Sequence, residues 1–232
     1  MSSRTLFRLS GFTLIFGSIL LATGYAISSL LIPQGFIGMY SAPIAVSAYV
    51  LRIVGATFLL MGLPAVFARQ AQGSRSVASS LIGFIMTFLG IATLEVGMNA
   101  IYAFIFPPLA TNPATQSLLI SFDANRPMGA SIAFASGLAL EVLGPPVLGI
   151  AIVRAKVLPR LAGMMLIAVP LLVIIGLPDF LVLQAVAGVA FAVVFGLGFA
   201  LCGYGLLSSQ SIKSVQDIRD TETQREMVEV EV

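Results

Sequence analysis

Long apolar stretches alternate along the chain with short segments in which charged residues, proline and glycine collect. A helix needs about 17 to 25 mostly apolar residues to cross a hydrocarbon core of ~30 Å. Six stretches satisfy this requirement, and each predicts one transmembrane helix: residues 10–32, 45–68, 81–106, 129–153, 161–177 and 180–207. The pattern therefore predicts an all-α fold, a polytopic membrane helix bundle that occupies residues 1–207.

Proline marks several ends of the predicted helices. Pro33 follows the first stretch, and Pro107 and Pro108 end the third, because proline cannot donate to the helical ladder and disfavours helical geometry in the residue before it. The fifth stretch is the shortest and is followed by Pro178 and Asp179. An aspartate at this point favours the start of the last helix, since its carboxylate accepts amide hydrogens of the first turn.

The composition supports a membrane protein and removes several kinds of chemistry. Of the 232 residues, 58% are hydrophobic and 9% are charged, whereas about 25% are charged in an ordinary soluble domain. The chain has no histidine and one cysteine, Cys202, which excludes histidine-based catalysis, an internal disulfide and metal sites built from several thiolates. We therefore expect no enzyme activity, no catalytic residues, no cofactor, no metal and no nucleic-acid partner.

The basic residues predict an orientation, because cytoplasmic loops carry an excess of lysine and arginine. With the N-terminus inside, ten of the twelve basic residues share the cytoplasmic side, and only Arg52 and Arg126 do not. Both termini are then cytoplasmic in a cell (inner) membrane, and the arginine-rich composition is typical of a GC-rich bacterial genome. Residues 208–232 contain three bases and six acids, which predicts a charged cytoplasmic tail that is mobile or partly helical.

An alternative is that the first stretch is a cleaved signal peptide, because Arg4 and Arg8 precede it and Ala22 lies in a segment of small residues. The apolar run continues to Ile32, whereas the hydrophobic region of a signal peptide is about 7–15 residues long. We therefore favour a first transmembrane helix.

Small residues predict where helices approach each other closely, because apolar side chains gain no hydrophobic energy by leaving lipid. The sixth stretch carries one at every fourth position, on a single helix face: Gly188, Ala192, Gly196 and Ala200. A shorter stripe on the first stretch contains Ser18, Ala22 and Ala26. We expect packing within the bundle, and the stripes leave open a homo-oligomer or other membrane subunits as partners beside the lipid bilayer.

Two acids lie where the bilayer midplane is expected. Glu95 is near the middle of the third stretch and Glu141 near the middle of the fourth. A charged side chain at this depth costs about 2.5–3.5 kcal/mol on insertion scales, so such residues normally face the bundle interior. The two acids therefore mark the first place to look for function.

Their neighbours predict a polar site. Asn99 and Tyr102 lie four and seven residues after Glu95, on the same helix face. On the next helix, the sequence Gly144, Pro145 and Pro146 predicts a helix break that frees backbone carbonyls beside Glu141. Carboxylates beside free carbonyls at membrane depth are the ingredients of a proton or small-cation site.

Two hypotheses about these acids stay open. In the first, Glu95 and Glu141 share protons, and one of them exchanges a proton or cation during transport. In the second, each is protonated and only holds helices together by hydrogen bonds. The corresponding functions are a small proton- or cation-linked transporter or channel-like protein and, alternatively, a non-catalytic membrane subunit or assembly protein.

Other polar side chains within the apolar stretches have simpler interpretations. Arg52 lies about two helical turns from the outer edge, and this depth favours snorkelling outward over an inward turn to the acids. With no tryptophan in the chain, Tyr40, Tyr49 and Tyr204 are the expected aromatic anchors at the membrane surface.

Overall fold

A computed structural model describes residues 3–72, 77–176 and 181–230, and the regular secondary structure in these ranges is helical. Ten α-helices are joined by one 3₁₀ turn and one π-helical segment, in the following order: α1 (Ser3–Leu31), the 3₁₀ turn (Ile32–Gln34), α2 (Gly35–Ser41), α3 (Ala45–Ala71), α4 (Val77–Gly90), the π segment (Ile91–Met98), α5 (Asn99–Phe104), α6 (Phe106–Thr111), α7 (Gln116–Ala124), α8 (Met128–Ala155), α9 (Arg160–Ile175) and α10 (Leu181–Val230).

Within the described ranges, five helical stretches are long and apolar enough to cross a membrane: Thr5–Ser41, Ala45–Ala71, Val77–Thr111, Met128–Ala155 and Leu181–Ser208. They confirm that the chain is a helical protein with membrane-spanning character. The remaining predicted span corresponds to α9, whose 16 residues cover about 24 Å at 1.5 Å per residue. Beyond the apolar part of α10, the same helix continues to Val230 through the predicted tail.

Helix α1 lies between α3 and α10 and makes close contacts with both. A methyl group on Gly17 would lie 2.7 Å from the carbonyl oxygen of Gly55, and one on Gly203 would lie 2.6 Å from that of Gly11. Backbones approach this closely only where side chains are missing. The first helix is thus the central layer of this half of the bundle.

The predicted stripe on α10 faces α1. A side chain on Gly188 would collide with Ser29, and one on Gly196 would meet Ala22. Ala192, between them, is buried, and Ala200 is half-buried. The stripe therefore contributes to packing inside the bundle.

A second glycine seam joins α4 to α8. Gly83 and Gly90 lie seven residues apart on one helix, as do Gly137 and Gly144 on the other. A methyl group on Gly90 would lie 2.5 Å from the amide nitrogen of Glu141, and one on Gly144 equally close to that of Thr87. Gly83, Gly90 and Gly144 lie against the backbone of the opposite helix, and Gly137 lies against the side chains of Thr93 and Leu94. This antiparallel seam brings Glu141 against the third predicted span.

The whole length of α9 lies beside α10. Near one end, a methyl group on Gly176 would lie 3.2 Å from Cβ of Ala187, and near the other, one on Gly205 would lie 2.5 Å from Cδ of Pro159. The α10 residues in these contacts are eighteen positions apart, which corresponds to about 27 Å of helix. The shortest helix therefore follows most of the apolar length of its neighbour.

The predicted helix break at Gly144, Pro145 and Pro146 is wrong, because α8 runs without interruption from Met128 to Ala155. Two adjacent prolines remove only two backbone donors, and the packing of this turn holds it in place. Gly144 touches the backbone of α4 and Pro145 is buried. Contacts of this kind with neighbouring helices allow a membrane helix to contain proline.

Aromatic residues close one end of the bundle. Tyr40 and Tyr49 are 4% and 3% exposed, so the prediction that they anchor the surface is wrong for both. Their rings pack with those of Tyr102 and Phe106, with centroids between 5.0 and 5.9 Å apart for the pairs involving Tyr40. Tyr204 is 60% exposed, as an anchor requires.

The glycine seam predicts that Gly90→Ala destabilises the protein, because the added methyl group meets backbone rather than a movable side chain. Overpacking of this kind costs about 1–3 kcal/mol. Unfolding can be followed with a maleimide dye that fluoresces on reaction with a thiol, since Cys202 is the only cysteine and is fully buried. We expect the variant to label at a lower temperature than the wild type.

Gly97→Ala is the control, since Gly97 lies in the adjoining π segment and its added methyl group would have no neighbour closer than 3.6 Å. It should unfold close to the wild-type temperature, because the methyl group displaces no neighbouring atom. Equal unfolding temperatures for Gly90→Ala and Gly97→Ala would show that the seam tolerates a side chain.

Candidate functional site

Glu95 lies in the only π-helical segment within the described residues, Ile91–Met98, which interrupts the third predicted span. The side chain is completely buried. Short π-helical segments within α-helices occur often at functional sites, because the wider turn re-aims the side chains it carries. Here that segment carries the acid at the centre of the bundle.

Arg52 of α3 binds Glu95 through a two-pronged ion pair. Its Nε donates to Oε2 at 3.0 Å and its Nη2 donates to Oε1 at 2.9 Å. The planar guanidinium matches the two oxygens of a carboxylate in this geometry, which makes the pair strong and directional. The arginine and glutamate side chains are 13% and 0% exposed, so solvent does little to screen their attraction.

Further donors complete the pair. The Tyr25 hydroxyl donates to Oε1 of Glu95 at 2.8 Å, and Nδ2 of Asn99 donates to Oε2 at 2.9 Å. The Glu95 carboxylate therefore accepts four hydrogen bonds. Arg52 also donates to the Ser28 hydroxyl at 3.3 Å, and its guanidinium carbon lies 3.7 Å from the centre of the Tyr25 ring, where the ring's negative face attracts a cation.

Arg52 turns inward, and the prediction that it snorkels outward is wrong. The aliphatic stem has room for this turn because a glycine faces it on α1: a methyl group on Gly24 would lie 2.7 Å from Cγ of Arg52. An unpaired carboxylate at this depth is costly, so an arginine within reach is better placed on Glu95 than at the surface.

Glu141 lies beside this ion pair but outside it. Glu141 is 2% exposed, and its backbone packs against Gly90 in the glycine seam. The side chains of Glu141, Glu95 and Arg52 line the same cavity. Among the atoms that the structure describes, Oε1 of Glu141 has no hydrogen-bond partner, which is unusual for a buried polar atom.

A cavity of about 440 Å³ adjoins both acids. Arg52, Glu95, Asn99 and Glu141 contribute its polar wall, and most of the remaining lining is apolar or aromatic. The cavity extends to residues at one end of the bundle, where α1 and α9 end and α10 begins: Ile32, Gly176 and Gln184. This size is within the ~300–1,000 Å³ range of small-molecule sites.

The structure places the predicted site residues in three roles. Glu95 and Asn99 belong to the ion pair, Glu141 faces the cavity next to it, and Tyr102 lines the cavity as part of the aromatic cluster. The three residues Gly144, Pro145 and Pro146 follow Glu141 on α8 and lie outside the cavity wall that the structure describes.

Sequence reasoning missed the role of Tyr25 and Ser28. Both lie on α1, which otherwise reads as an apolar helix, and neither residue type stands out in such a helix. The signal that could have found them is position: Gly24 allows close approach beside them, and the single charge within an apolar stretch on α3 requires polar partners from a neighbouring helix.

Among the described residues that line the site are one cation and two acids. Arg52 balances the charge of Glu95, so a negative charge on Glu141 would have no protein cation of its own in the part of the site that the structure describes. No group of three or more histidine, cysteine, aspartate or glutamate residues that could hold a metal occurs among the described residues. The arrangement can therefore keep one ion pair fixed while the second acid carries either a proton or an incoming cation.

No protein-family model, curated protein or solved structure matches this chain.

The ion pair predicts a large loss of stability for Arg52→Gln, because the variant leaves Glu95 buried without its counter-charge. Removing one partner of a buried ion pair typically costs about 3–5 kcal/mol. The thiol-labelling assay on Cys202 should show a fall in unfolding temperature, and Arg52→Gln combined with Glu95→Gln should recover part of it, since both charges are then absent.

Arg69→Gln provides the control on the same helix. Arg69 is half-buried near the end of α3, where its side chain donates to Gln72 at 3.4 Å, and its removal should change the unfolding temperature far less. If Arg52→Gln were as stable as Arg69→Gln, the buried ion pair would contribute nothing to holding α3 against the π segment.

Proposed function

We propose that this protein is a small membrane transporter in which Glu141 exchanges a proton or cation with the adjoining cavity. The observation that carries this proposal is Oε1 of Glu141, a buried oxygen without a hydrogen-bond partner among the described atoms, at the wall of a cavity of about 440 Å³. A buried acid inside a membrane protein normally marks an ion or substrate pathway.

In this proposal the two acids have different roles: Glu95 holds helices together and Glu141 exchanges a proton or cation. Glu95 accepts four hydrogen bonds and pairs with Arg52, which is the pattern of an acid that holds helices together. The alternative function, a non-catalytic subunit or assembly protein, explains this half of the site. It does not explain a buried carboxyl oxygen that has no hydrogen-bond partner among the described atoms, so Glu141 favours transport.

We further propose that α9 crosses the membrane, which makes six crossings and places both termini on one side. Its contacts with α10 from Ala187 to Gly205 support this, because they extend over about 27 Å of helix. The distribution of basic residues favours the cytoplasm for the termini and the inner membrane as the location. In that orientation the cavity opens toward the outer face.

The proposal predicts that Glu141→Gln abolishes transport. Purified protein is reconstituted into liposomes that contain a pH-sensitive dye, and the proton flux is driven by imposed gradients of protons, sodium or potassium. We expect the wild type to exceed protein-free liposomes, and Glu141→Gln to fall to their level because glutamine carries no exchangeable charge.

Tyr204→Phe is the control, since Tyr204 is an exposed residue outside the cavity lining that the structure describes, and its flux should equal that of the wild type. Glu141→Asp should retain measurable flux because it keeps the carboxyl group. Equal proton fluxes for wild type, Glu141→Gln and empty liposomes under every gradient would contradict the transport proposal.

A further inference from the structure

We propose that the cavity binds a hydrophobic organic cation, with its positive charge at Oε1 of Glu141 and its apolar groups against the cavity wall. The inference rests on the same site as the proposed transport function and names the chemical class of what that site accepts. It concerns binding, so it can be tested without any flux.

The charge of the site selects a cation. Arg52 is already engaged with both oxygens of Glu95, so it is not available to attract an anion. The Glu95 oxygens are each occupied by two donors. Glu141 remains as the acceptor, and its ionised form needs a positive charge brought from outside the protein.

The lining selects an organic cation rather than a metal ion. A hard cation such as calcium or magnesium takes about six or more oxygen ligands, whereas the acids at this wall offer one buried oxygen without a donor in the described structure, Oε1 of Glu141. The rest of the surface is mostly hydrocarbon: Leu94, Met98, Leu138, Val142, Leu172 and Val173. Such a wall favours a ligand that is itself mostly apolar.

Aromatic rings add to this preference. Phe134 and Phe191 line the cavity together with Tyr25, and the rings of Tyr25 and Phe191 have centroids 5.0 Å apart. The Arg52 guanidinium already lies over the Tyr25 ring, so these rings offer a surface for the apolar and aromatic groups of a ligand rather than a second site for its charge. A cation that carries aromatic or branched aliphatic groups can therefore fill the cavity and reach Glu141 at the same time.

Charge balance gives the binding reaction. In the empty site Glu141 holds a proton. When the organic cation binds, the O–H bond of Glu141 breaks, the electron pair stays on the carboxylate, the proton leaves to solvent, and the carboxylate pairs with the cation. The total charge in the cavity is unchanged, and Glu95, Arg52 and Tyr25, which face Glu141, keep their mutual hydrogen bonds. One proton is released for each cation bound.

The experiment measures equilibrium binding of radiolabelled tetraphenylphosphonium to the purified full-length protein in detergent, in a weakly buffered solution with a pH dye. Tetraphenylborate is the matched control ligand, because it has nearly the same size and shape and the opposite charge. We expect saturable binding of the phosphonium with release of about one proton, and no saturable binding of the borate. Glu141→Gln should weaken phosphonium binding by roughly tenfold or more, and Tyr204→Phe should leave it unchanged.

Equal phosphonium binding by wild type and Glu141→Gln would overturn the inference, because binding would then reflect apolar partition alone. Absence of saturable binding while the Glu141-dependent proton flux persists would overturn this inference and leave the transport proposal in place. Glu141-dependent binding without proton flux, even in liposomes given a gradient of tetraphenylphosphonium, would support the inference and overturn the transport proposal.

A second measurement uses only the wild-type protein, so it does not depend on the folding of a variant. Dicyclohexylcarbodiimide modifies protonated carboxyl groups in apolar surroundings, and peptide mass spectrometry locates the modified residue. We expect modification of Glu141, protection by tetraphenylphosphonium and no protection by tetraphenylborate. Modification that is unaffected by the phosphonium would contradict a cation site at Glu141.

Discussion

An arginine and a glutamate that share two hydrogen bonds inside an apolar bundle set the arrangement of the helices around them. Arg52 comes from α3 and Glu95 from the π segment, and Tyr25 of α1 contacts both. Each charge is too costly to bury alone, so the three helical elements are fixed relative to one another. Glycines make the required approach possible, with Gly24 beside the arginine stem and Gly90 at the seam with α8.

The same constraint gives Glu141 its chemistry. In the described part of the site, Glu95 engages the one cation, Arg52, and two further donors, Tyr25 and Asn99, while the seam at Gly90 holds Glu141 next to Glu95. We propose that the second acid, whose negative charge no described cation would balance, therefore takes up a proton or a cation. Stability and the proposed transport thus rest on two neighbouring acids with different surroundings.

The sequence alone is enough to locate the apolar helices, the two buried acids and the small residues of α10. A helix that crosses lipid must be long and mostly uncharged, so a charged residue within such a stretch is easy to recognise. The sequence could not show that Arg52 turns inward, since that depends on room beside Gly24 on another helix. The π segment also left no local signal. The helix break expected at Pro145 does not occur, because contacts with α4 hold α8 in place. These contacts come from a different helix, so the local sequence does not show them.

The proposed transport and cation binding both require that Glu141 carries a proton in the empty site, which can be measured by infrared spectroscopy of the purified protein at neutral pH. The carbonyl stretch of a protonated carboxylic acid is separate from the bands of carboxylates and shifts in deuterated water. We expect the wild type to show this band and Glu141→Gln to lose it. A band that is absent from the wild type, or that persists unchanged in Glu141→Gln, would contradict this requirement.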